Sequence, residues 1–165
     1  MKVKFIQEVG TTLRISFGCE KPAINLGNYP IDADVSNPPE GISWEILKDK
    51  YPDMRGWGFN MRYNTESGRP EAGDMYYADW MPENFYWDNH KGPYLILVLP
   101  NGHEWNIDSR ASNCTMKEDR LHRCWCRHGE PPNVTVDKIG VTCQAGAGSI
   151  LMGDFHGFLT NGEIK

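Results

Sequence analysis

Four of the five cysteines in this 165-residue chain fall between Cys114 and Cys143, and His122 and His128 lie among them. Soft donors gathered this densely restrict what the chain can fold into. They must ligate a metal, pair as disulfides or be buried as small hydrophobes. Five is an odd number, and the start Met1-Lys2-Val3-Lys4-Phe5-Ile6 turns polar at Gln7 and Glu8, before any apolar region of signal-peptide length. No export is expected from that start. The Asn-x-Thr matches at Asn113 and Asn133 are then expected to stay unglycosylated, and clustered thiols in a reducing compartment read as metal ligands before disulfides.

In a strand running from His122 to His128, the side chains of His122, Cys124, Cys126 and His128 share one face, with Arg123, Trp125 and Arg127 on the other. Zinc suits such donors, because it accepts thiolate and imidazole in a tetrahedron without redox change. One strand cannot wrap a tetrahedron, since residues i and i+4 stand about 13 Å apart. The expected site therefore takes one or two donors from this strand and closes with residues upstream and downstream. The favoured set is Cys114, Cys124, Cys143 and His122, with His128 or Cys126 as substitutes. No Cys-x-x-Cys occurs, so the spacing matches no standard finger. The competing reading is a set of buried small hydrophobes and satisfied histidines. Cys19 stands apart and is expected to be a buried free thiol.

A zinc ion here would first hold loops together. A catalytic zinc needs an open position and a base, for which Asp108, Glu118 and Asp119 are available. Asp108, Ser109 and Ser112, followed by His122, are also the raw material of a nucleophilic hydrolase, although no Gly-x-Ser-x-Gly elbow is present.

The chain is long enough for one core, and its 6 Trp, 7 Tyr and 6 Phe supply large buried areas. The pattern predicts a single strand-rich α+β domain over residues 1–165, mainly antiparallel sheet with one or two short helices and long loops. Residues 1–90 form its aromatic-rich, loop-rich part, and residues 91–165 its strand-rich part, organised by the Cys/His cluster. Lys2–Ile6 and Thr12–Phe17 read as an opening hairpin turning at Glu8-Val9-Gly10, and 21–41, with Asn37-Pro38-Pro39, as a long loop. Ser43 caps a predicted helix over Trp44–Lys50, which Pro52 ends. Strands are predicted over Trp57–Tyr63 and Pro93–Leu99; Pro100-Asn101-Gly102 then turns the chain back into His103–Asp108. The aromatics of Met75–Trp87 fill a core, and the tail closes with a hairpin around Thr160-Asn161-Gly162. The run from Ala145 to Ser149 lacks the Lys of a phosphate loop and reads as a tight turn.

No apolar run approaches the roughly 18 residues of a membrane span. The net charge is −5, with 10 basic and 14 acidic residues in 1–100 and 7 and 8 in 101–165. Neither part is basic enough to bind a polyanion by bulk charge. Arg120, Arg123 and Arg127 surround Trp125 as a phosphate- or base-binding group would, but Glu118, Asp119 and Glu130 flank them and argue against nucleic acid.

The stretch from Gly102 to Cys114, the stretch His122-Arg123-Cys124-Trp125-Cys126-Arg127-His128-Gly129 and the stretch from Thr142 to Ser149 resemble uncharacterised small proteins of tailed bacteriophages and prophages, over roughly residues 84–165. That resemblance implies a viral origin and no function; action in the host cytoplasm, or presence in the virion, is expected only with the readings that follow. Ser112, Cys114 and the segment from His122 to Arg127 are more faintly similar to a domain of unknown function from bacterial ubiquitin-like operons, which implies a zinc-bound, peptidase-like role. That family's Cys-x-Cys-Gly element is replaced here by Pro100-Asn101-Gly102-His103. The leading expectation is a zinc-stabilised binding module acting on a host protein. The alternatives are a peptidase-like hydrolase, using Ser112 and His122 or an open zinc site, and a minor virion component.

Overall fold

Tyr94–Val98 is buried at every residue, as its unbroken apolar run requires of a strand covered on both faces. The computed structural model describes residues 1–19, 21–33, 42–145 and 148–165. In chain order its elements begin with β1 (Lys4–Phe5), β2 (Glu8–Ser16), β3 (Ile24–Tyr29), α1 (Trp44–Lys50), β4 (Gly56–Tyr63), β5 (Asp74–Ala78), β6 (Tyr94–Val98) and β7 (Glu104–Asn106). There follow β8 (Cys126–His128), β9 (Thr135–Asp137), β10 (Ile150–Met152), β11 (Phe155–Gly157), β12 (Leu159–Thr160) and β13 (Glu163–Ile164). The described residues thus form a strand-rich α+β fold with one short helix and mostly antiparallel sheets. They fall into two compact units, residues 1–7 with 70–165 and residues 8–69.

The first unit is built on a four-stranded sheet of order β1-β5-β6-β7, in which β1 runs parallel to β5 and the other pairs are antiparallel. Met75, Leu95, Leu97 and Ile107 are fully buried beside it and join Val134, Ile150 and Leu159 from the later segments in one core. Three two-stranded sheets, β8-β9, β10-β11 and β12-β13, complete the unit. The last is the predicted closing hairpin. Its turn residues Asn161 and Gly162 both adopt positive φ, 47° and 70°, the conformation that a two-residue hairpin turn demands.

The second unit is the antiparallel sheet β3-β2-β4 with α1, and its core holds Ile15, Phe17, Leu47 and Met54. The helix spans the residues expected, with Ser43 Oγ accepting a hydrogen bond from the Ile46 amide at 3.2 Å. The opening hairpin, by contrast, does not form. Lys4 pairs with Asp74, and Glu8-Val9-Gly10 lies inside β2 instead of turning. Gly10 serves a close approach: a Cβ there would meet the Tyr29 carbonyl oxygen at 2.0 Å, and the register of β2 on β4 shifts between Glu8 and Gly10. The expected loop over 21–41 contains β3, whose weak apolar character hid it; Asn37-Pro38-Pro39 lies outside the described residues. Cys19, expected to be buried, is exposed. Among the described residues no helix is long and apolar enough to cross a membrane.

Leu97 and Ile31 have opposite environments, 0% and 64% exposed. Leu97→Ala is expected to cost about 2–5 kcal/mol in denaturant unfolding and Ile31→Ala less than about 0.5 kcal/mol. Equal costs would contradict this account of the core.

Candidate metal centre

Cys114 ends a tight turn, its amide donating to the Ala111 carbonyl at 3.1 Å. His122 and Cys124 flank Arg123, whose backbone forms an isolated parallel bridge with Thr142. Arg123 N–H donates to Val141 O at 2.9 Å, and Cys143 N–H donates to Arg123 O at 2.8 Å. That bridge sets Cys143 beside Cys124, while alternation about Arg123 turns His122 and Cys124 the same way. The ammonium of Lys138 draws the two segments together, donating to the carbonyls of Cys124, Cys143 and Ala145.

The result is a buried group of Cys114, His122, Cys124 and Cys143 whose donor atoms all lie within 4.8 Å of one another. Cys124 Sγ and Cys143 Sγ are 3.8 Å apart, and His122 Nε2 is 3.3 Å from Cys114 Sγ and 3.9 Å from Cys124 Sγ. A tetrahedral ion with bonds of about 2.0–2.3 Å needs its donors roughly 3.5–3.8 Å apart. The spacing already has that scale, so this group can hold a metal ion such as zinc.

The surroundings fit the same purpose. Backbone hydrogen bonds reach each sulfur: from Ala145 to Cys143 at 3.4 Å, from Met116 to Cys114 and from Ala111 to Cys124. Such donors favour thiolate. His122 Nδ1 is buried without a hydrogen-bond partner and lies 3.9 Å from Asp119 Oδ2, the placement of a carboxylate that orients a metal-bound imidazole. Burial pushes the Cys114 thiol up, but hydrogen bonds from the Met116 backbone, His122, Cys124 and Cys143 outweigh it and bring Cys114 down to about 7. Burial, and then the neighbouring thiols, push Cys124 up to about 12 against the Ala111 backbone. Several thiols in one dry pocket cannot all ionise without a cation among them.

Cys126 and His128, the expected substitutes, do not join the group. The strand expected over His122–His128 forms only from Cys126, so alternation does not carry through from Cys124. Cys126 is half-buried against Gly140, where a Cβ would meet its sulfur at 2.4 Å. His128 is exposed, with Nε2 2.9 Å from Asp137 Oδ1. Nor do Asp108, Ser112 and His122 assemble as a triad. The Asp108 carboxylate accepts from the Leu95 amide at 3.1 Å and faces Arg127 Nη1 at 3.1 Å, whereas Ser112 is exposed, with no hydrogen bond to His122 among the described residues. Glu118 is exposed, and Ser109 is half-buried. The three arginines are engaged within the chain: Arg120 with Asp88 and the Asn84 carbonyl, Arg123 with Asn89, Arg127 with Asp108.

Three supporting residues carried no signal in the sequence. Lys138 is one. Trp87 is fully buried, packs edge-on against His122 at 5.2 Å between centroids, and donates from Nε1 to the Asp108 carbonyl at 2.5 Å. Its ring also carries the guanidiniums of Arg110 and Arg123, at 4.4 and 4.8 Å from its centroid. Arg110 in turn donates to the carbonyls of Met116 and Asp119 at 3.1 and 2.9 Å, fixing the loop between Cys114 and His122. The contacts of Trp87 join residues at least 21 apart in sequence, which no local pattern encodes.

A thiol held near 12 keeps its proton at pH 7, and one near 7 keeps it about half the time. Zinc uptake at pH 7 is therefore expected to release more than one proton per ion, so affinity rises with pH and acid expels the metal. Calorimetry in buffers of different ionisation enthalpy measures this; release of less than one proton would contradict the assignment. No family model, no curated protein and no solved structure matches this chain.

Proposed function

We propose that this is a small phage-encoded protein in which Cys114, His122, Cys124 and Cys143 hold one zinc ion, and which acts in the host cytoplasm as a binding module for a host protein. The observation that carries the reading is the complete, buried four-donor set. Three thiolates and an imidazole are soft donors at tetrahedral spacing, which favour zinc over magnesium or calcium. With four protein ligands the ion keeps no position for water or substrate, so its role is structural. It clamps the loop ending at His122 to the segment around Cys143.

Binding rather than catalysis is supported by what these segments carry. Leu121, Ile139 and Val141 are 64%, 73% and 77% exposed, on either side of the Arg123–Thr142 bridge. Apolar side chains held in water by a metal-braced loop suit a protein partner. The hydrolase alternative lacks an assembled triad. The phage origin rests on the resemblance of residues 102–114, 122–129 and 142–149.

Cross-linking in infected cells tests the reading. The zinc-loaded protein is expected to join one recurrent host protein, confirmed by reciprocal capture, and Cys143→Ser to lose it. Absence of a recurrent partner, or recovery of the protein at fixed copy number in purified particles, would contradict it.

A further inference from the structure

The segment that leads into Cys114 also forms one wall of a cleft of about 340 Å³. Its floor is Trp105 and Trp125, with ring centroids 5.6 Å apart and planes at 53°. Trp105 is buried, and Trp125 is fixed by a hydrogen bond from Nε1 to the Ile107 carbonyl. One wall is 109–113; the other is β10 with Ser149 and His156.

All three residues of β10, Ile150, Leu151 and Met152, line the cleft. Successive side chains of a strand point to opposite faces, so three in a row bordering one cavity means that the cavity runs along the strand's edge. Among the described residues no second strand pairs with that edge, because β10 pairs only with β11, and Asn101 Nδ2 donates to the Met152 carbonyl at 2.9 Å beside the turn between these two strands. The two are joined across the two-residue turn Gly153-Asp154, which makes Met152 and Phe155 a hydrogen-bonded pair and points the N–H and C=O of Leu151 away from β11. Around the cleft, the side chains of Ser109, Ser112, Asn113, Ser149 and His156 have no hydrogen-bond partner among the described residues. No carboxylate lines it, and the guanidinium of Arg110 is engaged by Trp87 and two carbonyls.

We infer that this cleft binds an extended, uncharged peptide segment that adds as a strand to the unpaired edge of β10 and seats one apolar side chain on Trp105 and Trp125. An unpaired edge supplies main-chain affinity, and the tryptophan floor beside it supplies side-chain selection. Neither a phosphorylated nor an acidic peptide finds a free guanidinium or ammonium here, and a neutral sugar would leave the Leu151 amide unused. The inference deepens the binding-module reading and rests on it: the peptide segment belongs to the partner. It also ties recognition to the metal, since the wall at 109–113 is anchored where Ala111 accepts the Cys114 amide.

The test uses the zinc-loaded full chain and fluorescein-labelled Ac-Thr-Val-Leu-Val-Thr-NH2, read by anisotropy. Saturable binding is expected, weakened at least about tenfold when alternate peptide nitrogens are methylated or the central Leu becomes Asp. Ser112→Trp, which fills the cleft from an exposed position, and Leu151→Pro, which removes the edge N–H, should weaken it likewise while keeping their zinc. No saturation up to about 1 mM peptide, equal binding of the methylated peptide, or displacement by maltose would overturn the inference. If Ser112→Trp holds a captured host partner as well as the unmodified chain does, the cleft assignment fails while the binding-module reading stands. If the peptide binds as expected but no host partner recurs, the host-protein reading fails and the cleft stands.

Discussion

Three thiols and an imidazole share one buried pocket, and the local structure of residues 110–145 is organised around them. Burying such groups is costly unless their polar atoms are satisfied. The chain meets part of that demand itself, through backbone hydrogen bonds to each sulfur, but leaves His122 Nδ1 without a partner and the thiols close to one another. A divalent cation held by the three sulfurs and His122 Nε2 would relieve the crowding of the thiols, and would leave Nδ1 to the Asp119 carboxylate. It would also supply cohesion to a region whose only regular strands are the short β8 and β9.

The arrangement around the pocket is a set of braces. Lys138 ties the Cys124 and Cys143 segments through their carbonyls, and Arg110 ties the loop between Cys114 and His122. Trp87 carries the guanidiniums of Arg110 and Arg123 on its ring and packs against His122, linking the braces to the β6–β7 region through the Asp108 carbonyl. Asp108 is thereby a structural carboxylate, fixed on Leu95 and Arg127. These engagements hold Asp108, Arg120, Arg123 and Arg127 on partners within the chain.

What was legible in the sequence is what local chemistry decides. Ser43 and Pro52 bound α1, the apolar run of β6 requires two covered faces, and Asn161-Gly162 specifies its own turn. The parallel pairing of β1 with β5 was not legible, because it joins residues 70 apart and leaves no local mark. Gly10 misled for a physical reason: glycine permits both a turn and a close backbone approach, and here the Tyr29 carbonyl required the second. The site divides in the same way. Cys114, Cys124 and Cys143 stand out by composition, whereas the placement of His122 rather than His128 depends on the Arg123–Thr142 bridge.

The central claim is that the buried group holds a metal, and elemental mass spectrometry on tag-free protein addresses it most directly. The account predicts about one zinc per chain, falling in Cys114→Ser, Cys124→Ser, Cys143→Ser and His122→Ala but unchanged in Cys126→Ser and His128→Ala. Protein that folds and carries no metal would contradict it.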